Sequence, residues 1–127
     1  MQVLLDTHAL YWWFVEPAKL SRRATTMMAS EANTVLVSPA TGWELAIKVN
    51  QGKLDALPLV VELTRHIQEE GFTELPLGIE PALRAGLLPL HHRDPFDRLL
   101  VAHAQFLNVP ILSMDTVLDL YDVTRVW

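Results

Sequence analysis
Residues 93–115, RDPFDRLLVAHAQFLNVPILSMD, run from a helix start into a strand and end on an acid. Asp94 reads as a helix N-cap, with Pro95 at the first helical position and Asp97 at the third, in the manner of a capping box. Leu99, Leu100, Ala102, His103, Phe106 and Leu107 supply an apolar face. Asn108 is suited to end the helix in the left-handed conformation. VPILS at 109–113 then reads as a strand that stops just before Asp115. The stretch poses one question: whether Asp94 and Asp97 both serve the helix start, or whether one of them holds a metal.

The same alternation continues outward. QVLL at 2–5 reads as a buried strand ending at Asp6, and TVLVS at 34–38 as a second. Helices are expected over His8–Val15 and about Ser21–Ala32, and again after Pro39 as far as the stop signal Gly52. Residues 58–70 look like an amphipathic helix closed by Gly71. Phe72–Pro76 supplies a third strand, about Glu80–Gly86 a short helix, and LPLHH a loop. Residues 122–126 add a last edge strand. Strands alternating with helices predict an α/β fold with a mostly parallel sheet covered on both faces. There is no repeat, low-complexity tract or linker, so residues 1–127 are expected to form a single domain.

Composition narrows the function. The chain is 50% hydrophobic and 20% charged, as globular proteins are. It has no cysteine, which excludes disulfide scaffolds, thiolate metal sites and cysteine nucleophiles. No apolar run approaches the roughly 20 residues of a membrane span. The first residues, MQVLLDTHAL, carry no signal-like basic region or cleavage site, so a cytoplasmic protein is expected. The net charge of −5 argues against a broad nonspecific grip on nucleic acid. It leaves room for a nuclease whose clustered carboxylates hold a cation.

The positions of the acids matter more than their number. Sites in open α/β sheets form beyond the carboxyl ends of the strands. Asp6 follows the first strand, Glu44 lies about a turn beyond the second, and Asp115 follows the fourth. Asp97 sits in the first turn of the helix that enters that fourth strand. Such a cluster repels itself unless a hard cation relieves it, and oxygen ligands suit Mg²⁺ or Mn²⁺. Each acid also has a plain structural role open to it. Asp97 can complete a capping box, Glu44 can pair with Lys48 at i,i+4, and Asp115 can cap a turn. Asp6 is hardest to explain that way, because a carboxylate at the end of an apolar strand is costly unless capped or coordinated.

The five histidines show no zinc-binding spacing. His103 reads as a packed helix residue and His91-His92 as a solvated loop. YWWF at 11–14 reads as core or interface, since one helix face cannot bury all four aromatics. No phosphate-binding glycine loop and no GxSxG elbow is present. Arg93, Arg98 and Lys48 lie close enough in sequence to the acids to offer phosphate contacts.

LLDTHAL at 4–10, SPATGWELAIKVNQGKL at 38–54, RDPFDRLLVAHA at 93–104 and ILSMD at 111–115 together resemble the PIN-domain nucleases, most of all their VapC-type toxin branch. The resemblance spans essentially the whole chain. It implies a three-layer α/β/α sandwich around a central, mostly parallel sheet of about five strands. It also implies Mg²⁺- or Mn²⁺-dependent cleavage of RNA by water, leaving a 5′-phosphate. Asp6, Glu44, Asp97 and Asp115 match the family's acidic quartet as catalytic and metal-binding residues, with Thr7 and Ser113 as supporting hydroxyls. On this reading Asp94 caps the helix and Asp97 binds metal. A homodimer and a VapB-type antitoxin partner are implied too, the antitoxin placing an arginine near the acids.

Three rival readings exist. A phosphoacceptor domain of similar topology needs paired acids at the first strand and a late lysine; here Asp6 stands alone. A phosphatase of the haloacid-dehalogenase kind needs DxDxT, where this chain has DTHAL. A nonenzymatic PIN-like protein-binding domain would have no need of the four acids.

Overall fold
The computed structural model describes residues 1–127. Its core is a five-stranded sheet with every neighbouring pair parallel, in the order β3-β2-β1-β4-β5. The strands are β1 (Gln2–Leu5), β2 (Thr34–Val37), β3 (Thr73–Glu74), β4 (Ile111–Leu112) and β5 (Arg125–Val126). The helices between them are α1 (Thr7–Val15), α2 (Arg22–Ala29), α3 (Pro39–Asn50), α4 (Leu57–Val61), α5 (Leu63–Glu69), α6 (Ile79–Leu87) and α7 (Pro95–Leu107).

The side-chain period of two along each strand builds two cores. Val3 and Leu5, Val35 and Val37, and Leu112 face one side, where Ala9 and Leu10 of α1, Ala24 and Met28 of α2, and Leu63 and Ile67 of α5 cover them. Leu4, Leu36 and Ile111 face the other, against Leu100, Val101 and Ala104 of α7 and Leu118. Apolar runs without polar alternation are what a strand buried on both faces requires. Helix α6 packs on α7.

The helix starts follow their caps. Asp6, Ser21, Ser38, Asp94 and Asp115 each accept a backbone N–H from the turn they open. Asn108 ends α7 at φ 55°, as expected for a left-handed cap. Gly71, at φ 74°, closes α5.

Three expectations need correction. The helix expected over 58–70 is two helices, broken at Glu62, whose φ of −106° and ψ of 17° leave the helical region. The break lets Leu63 and Ile67 reach the core while Leu57 and Val61 stay exposed. The fourth strand is only Ile111–Leu112, shorter than the expected 109–113, with the Pro110 carbonyl and Ser113 N–H bonding at its two ends. No capping box forms at α7: Asp94 accepts from Phe96 N–H, and its own N–H goes to His92 Nδ1. The four aromatics of α1, read as core or interface, line the core. Trp13 packs on Phe72, Phe14 on His66, and Trp12 between His8 and Trp127, and all four lie half-buried against the core.

Candidate active site
From β1 the chain crosses to β2 on one side and later to β4 on the other. This is the switch point at which open parallel sheets form a crevice beyond their strand ends. Asp6 is the residue after β1, and Ser113 the residue after β4. A cleft of about 590 Å³ opens there, walled by Asp6, Asp97, Asp115, His92, Asp94 and Trp12 among others.

Each acid is held differently. Asp6 is 4% exposed. Its Oδ1 accepts from Ala9 N–H at 2.7 Å, and it also accepts from the Ser113 hydroxyl. Burial raises its pKa above the usual carboxylate range, against the pull of those two hydrogen bonds and of His8, with the Asp115 charge adding to the rise. Asp115 accepts from Val117 N–H through Oδ1, and its Oδ2 lies 2.7 Å from His92 Nε2. Ser113 Oγ in turn accepts Asp115 N–H at 3.0 Å. One hydroxyl therefore ties the ends of β1 and β4 together. Thr7 is buried against Thr41, Oγ1 to Oγ1 at 3.3 Å, and stiffens the start of α1.

Glu44 is buried on α3. Its Oε2 pairs with Lys48 at 2.7 Å, while its Oε1 is buried without any partner. An orphaned carboxylate oxygen is expensive inside a protein. Asp97 is strongly perturbed as well. Its pKa is pushed up to about 8, first by burial and then by the charges of Asp94, Glu44, Asp6 and Asp115. It has no backbone N–H to lean on; its one oppositely disposed partner is His92, whose Nε2 lies 3.1 Å from Oδ2. The four acids thus act on one another as a group, although Glu44 lies in an adjoining groove with Lys48 rather than in the cleft wall.

His92 is the residue that sequence reasoning missed. The sequence places it in a solvated loop, yet it is half-buried and sits between Asp97 and Asp115. Because Nδ1 accepts Asp94 N–H, the ring's proton resides on Nε2 and points at the two carboxylates. A signal for it did exist. If Asp97 turns into the cleft, the N-cap N–H must find another acceptor, and His92 lies two residues upstream. His91 stays exposed, its ring against Tyr121 at 5.1 Å.

The expected phosphate-binding cations are not equivalent. Arg98 spends Nη1 on the carbonyls of His92 and Arg93, both at 3.0 Å, and so braces the loop. Lys48 is committed to Glu44. Arg93 is exposed and makes no ion pair.

An oxygen-rich cluster with one orphaned carboxylate oxygen and one carboxyl held near pH 8 suits a hard divalent cation. His92, Asp97 and Asp115 alone bring three ligand atoms within 4.8 Å of one another.

Comparison with known proteins agrees with this geometry. The PIN domain family matches residues 3–124. The chain is 32% identical over 105 residues to ribonuclease VapC22 of Mycobacterium tuberculosis, covering 80% of this chain and 78% of that protein. VapBC2 of Rickettsia felis, solved bound to a DNA fragment from its promoter, aligns with TM-score 0.72 at 14% identity, covering 100% of this chain and 99% of that one. VapBC-1 of nontypeable Haemophilus influenzae aligns with TM-score 0.65 at 17% identity, covering 99% and 97%. At those identities the two structures speak for the fold.

Proposed function
Since the chain belongs to the PIN-domain family, we propose that it is a divalent-metal-dependent endoribonuclease, the toxin of a toxin–antitoxin pair. The observation that carries this reading is the group of acids Asp6, Glu44, Asp97 and Asp115 around the switch point, where burial first and the charges of Asp94, Glu44, Asp6 and Asp115 after it push the Asp97 pKa up to about 8. The 32% identical relative is named a ribonuclease, which supports RNA as substrate.

Asp6, Glu44, Asp97 and Asp115 would hold the cation, Mg²⁺ or Mn²⁺. When bound, such an ion activates water and offsets charge on a phosphate under attack. The chain's own residues do the positioning. Ala9 N–H and the Ser113 hydroxyl fix Asp6, Val117 N–H and His92 fix Asp115, and Lys48 fixes one oxygen of Glu44. Asp97, the acid without a fixing backbone N–H, would serve as a carboxylate ligand to the cation. His92 Nε2–H orients the two aspartates beside it. Arg93 is free to take a substrate phosphate. Hydrolysis by water leaves a 5′-phosphate and a 3′-hydroxyl, so the 2′-hydroxyl is not the nucleophile.

The same proposal places residues 1–127 in one cytoplasmic domain, with a homodimer and a VapB-type antitoxin as partners. The two structural neighbours are both VapBC proteins, which supports such a partner. No helix is long and apolar enough to cross a membrane. The test is cleavage of an RNA panel by purified protein with Mg²⁺, with Mn²⁺ and with EDTA. Products bearing 5′-phosphates, formed only with metal, are expected. Cleavage in EDTA leaving cyclic phosphate ends would contradict the mechanism.

A further inference from the structure
One aromatic side chain on α3 has no evident structural duty. Trp43 is 62% exposed, and it immediately precedes the buried Glu44. The other three tryptophans, Trp12, Trp13 and Trp127, are half-buried against the core. The Trp43 indole makes no hydrogen bond within the chain. Its ring stands edge-on to Phe96, with centroids 5.2 Å apart and planes at 89°. Phe96 lies one residue before Asp97, so this aromatic pair joins the two helices that carry Glu44 and Asp97.

Phe96 also lines a groove of about 410 Å³ whose walls include Lys48, Lys53, Arg93 and Asp94. Asp94 belongs to the acidic cleft as well, so groove and cleft share a wall. Lys53 and Arg93 are exposed, and neither has a carboxylate partner. In a chain of net charge −5, Lys53 and Arg93 are thus unpaired cations in a groove lined by Phe96, the ring against which the exposed Trp43 stands. Cations that track a phosphate chain beside an aromatic face are the ingredients of a single-stranded nucleic-acid site.

We propose that Trp43, braced by Phe96, stacks on an unpaired base of the RNA next to the scissile phosphate, with Lys53 and Arg93 holding the adjoining phosphates. The inference rests on the ribonuclease reading and sharpens it: the substrate must be single-stranded or looped there, since a paired base has no free face. An apolar protein segment is a poorer occupant, because it would strand Lys53 and Arg93 away from water without a partner.

The test uses the full chain and an unstructured oligouridylate, beside a ribose-phosphate oligomer of equal length without bases. Binding is read in EDTA by anisotropy and tryptophan fluorescence, and cleavage in Mg²⁺ as KM and kcat. Wild type should prefer the uridylate, with quenching that Trp43→Phe removes. Trp43→Ala should lose roughly 10- to 100-fold in affinity, mostly in KM, and should no longer tell the two oligomers apart. Trp43→Phe should retain most of the affinity. Lys53→Glu should weaken both oligomers alike. If wild type cleaves RNA and Trp43→Ala binds it unchanged, the stacking site is wrong and the ribonuclease reading stands. If Trp43→Ala leaves RNA binding intact but disrupts self-association or antitoxin binding, the surface belongs to a protein and the inference fails. If wild type neither binds nor cleaves any RNA with either metal, both readings fall.

Discussion

Asp97 is a side chain on which charge and burial pull in opposite directions. An unfolded Asp releases its proton at about pH 3.9. In the fold the proton is held until about pH 8. The folded state therefore binds more protons across that window, and without metal the protein should lose stability as pH rises from about 4 to about 8. Asp6, also raised, works in the same direction. Melting temperatures measured in EDTA at several pH values should fall with rising pH, and saturating Mg²⁺ or Mn²⁺ should flatten the slope by binding the native state. Asp97→Asn should reduce the slope in EDTA. An unchanged slope in that variant would show that the strain lies elsewhere. His92 permits a second prediction. His92→Ala removes both the acceptor for Asp94 N–H and the donor to Asp97 and Asp115, so divalent affinity should drop by roughly 10- to 100-fold. Calorimetric titration with Mn²⁺ reads it directly.

The elements that carry the acids were the best marked in the chain. Helix α7 announced itself through Asp94, Pro95, an apolar stripe and Asn108, and it runs Pro95–Leu107. Strands β1 and β2 were legible because continuous apolar runs end on polar residues, Asp6 and Ser38. What was not legible depended on tertiary partners. The break at Glu62 serves burial of Leu63 and Ile67, which no local signal announces. The place of His92 depends on where Asp97 turns. The acids themselves were visible because they stand at the ends of strands and the starts of helical turns: Asp6 and Asp115 each cap a helical turn through one oxygen, and both line the cleft. Leu100, 1% exposed, anchors α7 against the sheet. Leu100→Ala should cost about 2–5 kcal/mol in denaturant unfolding. A cost well below about 1 kcal/mol would mean that α7 is not anchored through its core face.

Seen from outside, the protein is acidic but unevenly dressed. The aromatic run of α1, read from the sequence as core or interface, is largely absorbed by the core. The exposed apolar surface lies on α6 instead, where Ile79, Leu83 and Leu87 recur at helical spacing and are 80%, 62% and 86% exposed, with Leu90 at 75% beyond them. Stripes of this kind mark protein interfaces. A two-fold dimer uses one patch twice, so the proposed homodimer is expected to form there. Leu83→Asp should shift sedimentation from dimer to monomer without unfolding the chain. A dimer undisturbed by it would move the interface to another face.

The division of labour between Asp94 and Asp97 remains the sharpest point of contact with experiment. Asn is nearly as good an N-cap as Asp, so Asp94→Asn should leave both fold and Mn²⁺ binding in place. Asp97→Asn keeps the helix but removes the carboxylate that waits for a cation. The decisive measurement pairs Mn²⁺ titration with RNA cleavage for these two variants and wild type. Asp94→Asn should bind metal and cleave within several-fold of wild type, while Asp97→Asn should lose metal binding and at least about 100-fold in cleavage rate. Equal loss of cleavage in both variants, with Mn²⁺ affinity unchanged in Asp97→Asn, would contradict the metal-holding role of Asp97.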